Sequence, residues 1–186
     1  KEGDPNGPLS PSISAVIVAS DTNIWFGTPW QGVSRFDVQN NLFTNYMTDE
    51  SNPNSLGHRE VWSLFEGADG TIWVGTNMGI IHRYQPETDD FAVYEYSKAA
   101  PDSTGRALNI TQDSTGDIWI SSDFGLYLFK KEFHFSDPMA IDYSQAFEFI
   151  ADQPHSNANA PMTLEAAATR QVFELESHTS SIRVND

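Results

Sequence analysis

The 186-residue chain has no cysteine, which excludes disulfides, thiolate metal sites and a cysteine nucleophile. Cations are scarce: 10 Lys and Arg stand against 26 Asp and Glu, for a formal net charge of -16. A phosphate backbone would be repelled at almost any approach, so nucleic acid and anionic membrane surfaces are poor partners. Long apolar runs are missing, and Lys1 to Pro8 lack the basic start and apolar core of a signal peptide. These residues are not expected to span or target a membrane. No helical pattern separates the strand-like runs, which argues against a TIM-like barrel or a doubly wound sheet.

What is present is aromatic: 12% of residues are Phe, Trp or Tyr, against 19% charged, enough buried area to offset chain entropy. The aromatics recur. Asn23-Ile24-Trp25-Phe26-Gly27-Thr28, Thr71-Ile72-Trp73-Val74-Gly75-Thr76 and Asp117-Ile118-Trp119-Ile120-Ser121-Ser122 align, with tryptophans 48 and 46 residues apart. Arg35-Phe36 and Arg83-Tyr84 follow the first two copies at one distance, and the third reaches Gly125-Leu126-Tyr127-Leu128-Phe129 with a turn one residue shorter. Ile13, Val61 and Ala107 open strand-like runs ahead of each tryptophan.

Four short strands in roughly 40 to 50 residues is the size of a propeller blade. The spacing predicts an all-β chain of three four-stranded antiparallel β-propeller blades, a partial propeller. Residues 1–10 read as the end of a preceding blade, 11–54, 55–100 and 101–135 as blades, and 136–186 as a degenerate blade or a linker plus the first strands of a following β-sandwich. The candidate strands of that last stretch are Gln171–Leu175 and Ser181–Val184. Alternation predicts Ile72 and Val74 facing one neighbouring blade and Trp73 the other, with Trp25, Trp73 and Trp119 as equivalent core residues. Gly70 and Gly116 should close hairpins in left-handed conformation, and Gly27 and Gly75 should mark close approach of a neighbouring strand.

Chemistry-bearing patterns are weak beside this. The five histidines, at 58, 82, 134, 155 and 178, lack metal-ligand spacing and read as surface or turn residues. Asp113-Ser114-Thr115-Gly116-Asp117 has the alternating oxygens of a calcium loop but falls where a hairpin must turn. Asn109-Ile110-Thr111 is a formal glycosylation sequon on a predicted inner strand. No nucleophile elbow, phosphate loop or close carboxylate pair is present, so no catalytic residue, metal or cofactor is expected.

The composite Asp-x-x-Gly-x-Ile-Trp-[Ile/Val]-Gly-Thr-x-x-Gly-[Leu/Ile]-x-Arg-[Tyr/Phe], with Asn52-Pro53-Asn54-Ser55-Leu56 ahead of the second copy, resembles the two-component regulator propeller repeat. The first copy departs by lacking the turn glycine, and the third by Ser121-Ser122. The resemblance implies a ligand-sensing segment of a bacterial signalling protein, a two-component sensor or a diguanylate cyclase. It further implies a periplasmic or extracytoplasmic position in an inner-membrane protein and an oligosaccharide or other small molecule as ligand. The remaining blades of the same propeller, and a second copy through the full-length protein, are the other expected partners. A propeller lyase or hydrolase and a structural, protein-binding propeller are the rival readings.

Strand order gives the expected site. The segments joining blades and the turns between second and third strands should emerge on one face. They carry His58, Arg59, Glu60 and Arg106, and Trp30, Gln31, Asn77, Met78, Asp123 and Phe124, respectively. Aromatic faces beside amide and guanidinium groups suit a neutral, hydroxyl-rich ligand, and Trp30 and Arg59 are the leading candidates. Ordinary solvated loops are the alternative.

Overall fold

A computed structural model describes residues 7–100 and 105–152. They form three four-stranded antiparallel sheets. Blade 1 comprises β1 (Ala15–Val18), β2 (Ile24–Thr28), β3 (Gly32–Asp37) and β4 (Leu42–Tyr46). Blade 2 comprises β5 (Val61–Glu66), β6 (Ile72–Thr76), β7 (Ile80–Gln85) and β8 (Asp90–Glu95). Blade 3 comprises β9 (Ala107–Gln112), β10 (Ile118–Ser122), β11 (Gly125–Phe129) and β12 (Phe147–Asp152). Within each sheet the strands lie side by side in chain order.

The period-2 alternation of β6 sorts its side chains between two cores. Ile72 and Val74 join Trp25, Val33, Leu56 and Val61 between blades 1 and 2, whereas Trp73 joins Ile110, Ile118, Ile120 and Phe129 between blades 2 and 3. Trp25 and Trp73 are 1% and 2% exposed. Trp119 differs from the expectation. It is half-buried, and its indole N–H donates to Asp113 Oδ2 at 2.8 Å. Its sheet face has no further blade against it among the described residues.

Close packing explains the glycines of the Trp-x-Gly motif. A Cβ on Gly27 would lie 2.5 Å from Val61 Cγ1, and one on Gly75 would lie 2.8 Å from Ala107 Cβ, in each case the first residue of the next blade. Gly70 and Gly116 close their hairpins at φ 82° and 96°. Blade 1 places Thr22 at the equivalent position, at φ 71°.

Blade 3 ends later than the spacing suggests. Its fourth strand is β12, beyond the expected boundary at residue 135, because the connection 130–146 replaces the short turns that join β3 to β4 and β7 to β8. Phe147 stacks on Phe129 at 4.1 Å and Phe149 meets Tyr127 at 5.0 Å, so aromatic contact compensates for the lost periodicity. The connection also reaches back over blade 2, where Tyr94 donates to the carbonyls of His134 and Ser136 at 2.7 and 3.0 Å.

His82, inside β7, corrects the expectation of surface or turn positions; His134 does lie in a turn, but a buried one. His82 is fully buried between blades 1 and 2, and His134, at 5% exposure, packs against Trp73 and Phe129. Both satisfy ring nitrogens with backbone partners, which is what allows burial. The candidate strands after residue 152, residues 1–6 of the segment read as a preceding blade, and His155 and His178 lie outside the described residues.

Candidate functional site

In each blade the first strand begins on the face where the β2–β3, β6–β7 and β10–β11 turns lie, and hydrogen bonds join these turns to the straps leading into the next blade. Gly32 N–H donates to Arg59 O at 2.8 Å, and Gly79 N–H to Gly105 O at 2.8 Å. Thr28 organises the first turn by donating to Gly32 O and accepting from Gln31 N–H. Thr76 donates to Ile80 O, and Ser122 accepts from Phe124 and Gly125 N–H. The hydroxyl at the end of the second strand is therefore a turn cap, which Ser supplies as well as Thr.

The strap and turn residues singled out above meet on this face, but most are committed to one another. Asn77 Nδ2 donates to Glu60 Oε2 at 2.9 Å, and its N–H to Glu60 O at 3.1 Å. One repeat on, Arg106 grips Asp123 with Nε and a terminal nitrogen at 2.8 and 2.7 Å. These are the same two positions in successive blades, filled once by Glu and Asn and once by Arg and Asp; blade 1 has Ser12 and Pro29 there. The hydrogen bonds it donates to Asp123 hold the Arg106 guanidinium more firmly in its charged form. His58 Nδ1 accepts from Glu60 N–H at 3.2 Å, and Phe124 lies where a Cβ on Gly105 would be, 2.5 Å away.

Four residues remain open to solvent. Trp30 and Met78 are 59% and 49% exposed, and Gln31 and Arg59 are exposed as well. The Arg59 carbonyl holds Gly32, two residues past Trp30, so an indole and a guanidinium flank one hydrogen bond at the seam of blades 1 and 2.

Sequence reasoning missed Trp62. It occupies the irregularity between Val61 and Ser63 in the β5–β6 register, a bulge that turns the indole toward blade 3, where the Arg106 guanidinium lies 4.6 Å over the ring. Its buried Nε1 has no partner among the described residues. The available signal was its standing outside the register of the other β-strand tryptophans.

A second polar cluster lies at the seam of blades 1 and 2, toward the β7–β8 turn on the opposite face. Arg35 sits 5.5–5.9 Å from the rings of Trp25, Tyr46 and Tyr84 and 3.2 Å from Asp89, which also accepts from both phenols at 2.6 Å. Burial, reinforced by the bond to Asp89, pushes the Tyr46 phenol far above its ordinary range. This arrangement ties the blades together and leaves Tyr46 and Asp89 on the wall of a groove of about 420 Å³ at the rim. Residues Asp113–Asp117 close the β9–β10 hairpin, with Gly116 N–H on Asp113 O at 3.1 Å and Lys131 donating to Thr115 O. Among the described residues, no three His, Asp or Glu side chains gather as metal ligands, and no helix is long and apolar enough to cross a membrane.

Residues 55–78 match the two component regulator propeller family. Among solved structures, the fold is similar to the extracellular domain of a protein described as a hybrid two component system of B. thetaiotaomicron, with TM-score 0.60 and 18% identity over 71% of this chain and 18% of that one. A second B. thetaiotaomicron extracellular domain, described as from a one component system, gives TM-score 0.53 and 22% identity over 73% of this chain and 18% of that one. Virginiamycin B lyase from Staphylococcus aureus gives TM-score 0.52 and 19% identity over 70% and 40%. At these identities the likeness is one of fold, and the chain spans less than a fifth of the length of either B. thetaiotaomicron domain. No curated protein matches the chain in sequence. Residues 55–78 thus carry the two component regulator propeller repeat, within a chain that folds as β-propeller blades.

Proposed function

We propose that these blades belong to the extracytoplasmic sensor propeller of a bacterial signalling protein, a two-component sensor or a diguanylate cyclase anchored in the inner membrane. The observation that carries this reading is the family match on residues 55–78, the strap and first two strands of blade 2. Binding, not catalysis, is the activity assigned to this segment. The similar lyase shares the fold at 19% identity, which carries no chemistry to these residues.

The ligand in this reading is a small hydroxyl-rich molecule such as an oligosaccharide, taken up on the face of straps and turns. Trp30 offers a ring for stacking and Arg59 offers, to hydroxyls, donors that have no partner among the described residues, beside the latches Asn77–Glu60 and Arg106–Asp123 that stiffen the face. The remaining blades adjoin the far side of blade 1. Val16 and Val18 are 57% and 71% exposed there, and Leu9 N–H reaches Ser34 Oγ as a strap reaches its blade. A second copy joins through the full-length protein.

Calorimetric titration of the full-length protein with candidate oligosaccharides tests the site. Trp30→Ala and Arg59→Ala should each weaken binding by roughly tenfold, the loss of about 1.4 kcal/mol. Unaltered affinity in both, with losses from changes at Asp69 or Thr88 on the opposite turns, would move the site to the other face.

A further inference from the structure

His82 stands where blade 1 has Ser34, and each accepts a backbone N–H from the strap that runs onto its own blade. Gly57 N–H donates to His82 Nε2 at 2.8 Å, and Leu9 N–H to Ser34 Oγ at 3.1 Å. The other imidazole nitrogen, Nδ1, lies 3.1 Å from Val74 O. A carbonyl only accepts, so Nδ1 carries the hydrogen and Nε2 is the bare lone pair that Gly57 requires. This fixes a single neutral tautomer. A second ring proton would point Nε2–H at Gly57 N–H, donor against donor, and the strap would have to move.

The surroundings offer an imidazolium little compensation. The ring has no exposed surface and lies edge-on to Phe91 of β8, with centroids 6.0 Å apart. On the strap, the titratable and charged neighbours are His58, Arg59 and Glu60. On β7 the next residue of the same face is Tyr84, β6 presents the Val74 carbonyl, and blade 1 brings Arg35 to the Tyr84 hydroxyl, with Asp89 beyond. Burial is the main reason that the His82 pKa falls to about 4; the Val74 carbonyl opposes it and His58 adds to it.

We infer that His82 is an acid-releasable latch: protonation at Nε2 removes the acceptor for Gly57 N–H and frees the strap around Gly57, His58 and Arg59 while the sheet of blade 2 stays formed. The same backbone bond in blade 1 rests on a hydroxyl and has no such response. Release also loosens the Arg59 carbonyl on Gly32, so acid would unfasten the seam between blades 1 and 2 on the face of straps and turns. The inference concerns the strap alone and stands whether or not a ligand binds there.

The test is His82→Ser, which installs the solution used by blade 1, with His82→Gln as a second acceptor that does not titrate. Hydrogen exchange of the chain is followed from pH 7 to 4, corrected for the intrinsic pH dependence of exchange. In the wild type the amides around Gly57 should lose protection at least tenfold toward pH 4, while those of β6 keep theirs. In the variants the strap should show no such step, and if the serine variant fails to fold, the glutamine variant carries the comparison. Identical profiles in wild type and variant, or simultaneous loss in the strap and β6, would overturn the latch. So would a His82 ring that titrates near 6.5 by NMR.

Discussion

Gly75 and Ala107 are in contact across the seam of blades 2 and 3: a Cβ added to Gly75 would lie 2.8 Å from Ala107 Cβ and 3.0 Å from its carbonyl oxygen. The Ser63 hydroxyl donates to that carbonyl at 2.7 Å, and Ser14 donates in the same way to Val61 O at 2.5 Å. The Ala107 backbone is therefore held from one side and pressed from the other. Gly75→Ala should cost about 1–3 kcal/mol, the usual range for overpacking a dense core. Thermal unfolding checks this, and an unchanged midpoint would mean that the blades can part without penalty.

The left-handed turn position offers the opposite test. Blade 1 has Thr22 at φ 71°, with its N–H on Ala19 O at 2.9 Å, where blade 2 has Gly70 on Gly67 O at 2.9 Å. A β-branched residue is strained in that region and glycine is not. Thr22→Gly should therefore stabilise the protein by roughly 1 kcal/mol, net of the added freedom of the unfolded chain. The expected rise in melting midpoint is about 2–4 °C.

Trp73→Ala and Trp119→Ala separate equivalent positions in the repeat. Trp73 is 2% exposed among Tyr94, Phe129 and His134, so its truncation should cost about 3–5 kcal/mol. Trp119 is half-buried and tied to Asp113, and its truncation should cost less than half as much. Denaturant midpoints of the two variants decide this, and equal losses would show that both indoles fill comparable seams.

The repeat was legible because a blade is a local unit: hairpin glycines, the Trp-x-Gly strand and the alternation of Ile72, Trp73 and Val74 each follow from neighbours in sequence. What escaped depends on contacts between distant residues. The bulge that displaces Trp62 leaves no compositional mark. The connection 130–146 hid β12 by breaking the period, and Phe147 is recognisable as the partner of Phe129 only once the sheet is built. The strap and turn residues were correctly sent to one face, yet the pairings of Glu60 with Asn77 and Arg106 with Asp123 require the two loops to be seen together. His82 looked like a surface residue because burial of an imidazole depends on two backbone partners, Gly57 and Val74, 25 and 8 residues away.

Acid stability follows from the same histidine. In the unfolded chain its imidazole takes up a proton near 6.5, whereas in the fold burial delays this to about 4. Between those values the unfolded state binds more protons, so stability rises with pH. The contribution is complete above about 6.5 and is lost as pH falls toward 4, by about 3 kcal/mol in all. His134, whose pKa burial also lowers, acts in the same direction. The carboxylates of Asp90 and Asp113 have lowered pKa values, so their contributions are present above the ordinary carboxylate range and fade only below it. Among the described residues, the slope between pH 6.5 and 4.5 therefore belongs to His82 and His134. Urea midpoints measured across that interval should fall steadily in the wild type and less steeply in His82→Gln. Parallel slopes would mean that His82 takes up its proton in the folded protein as readily as in the unfolded chain.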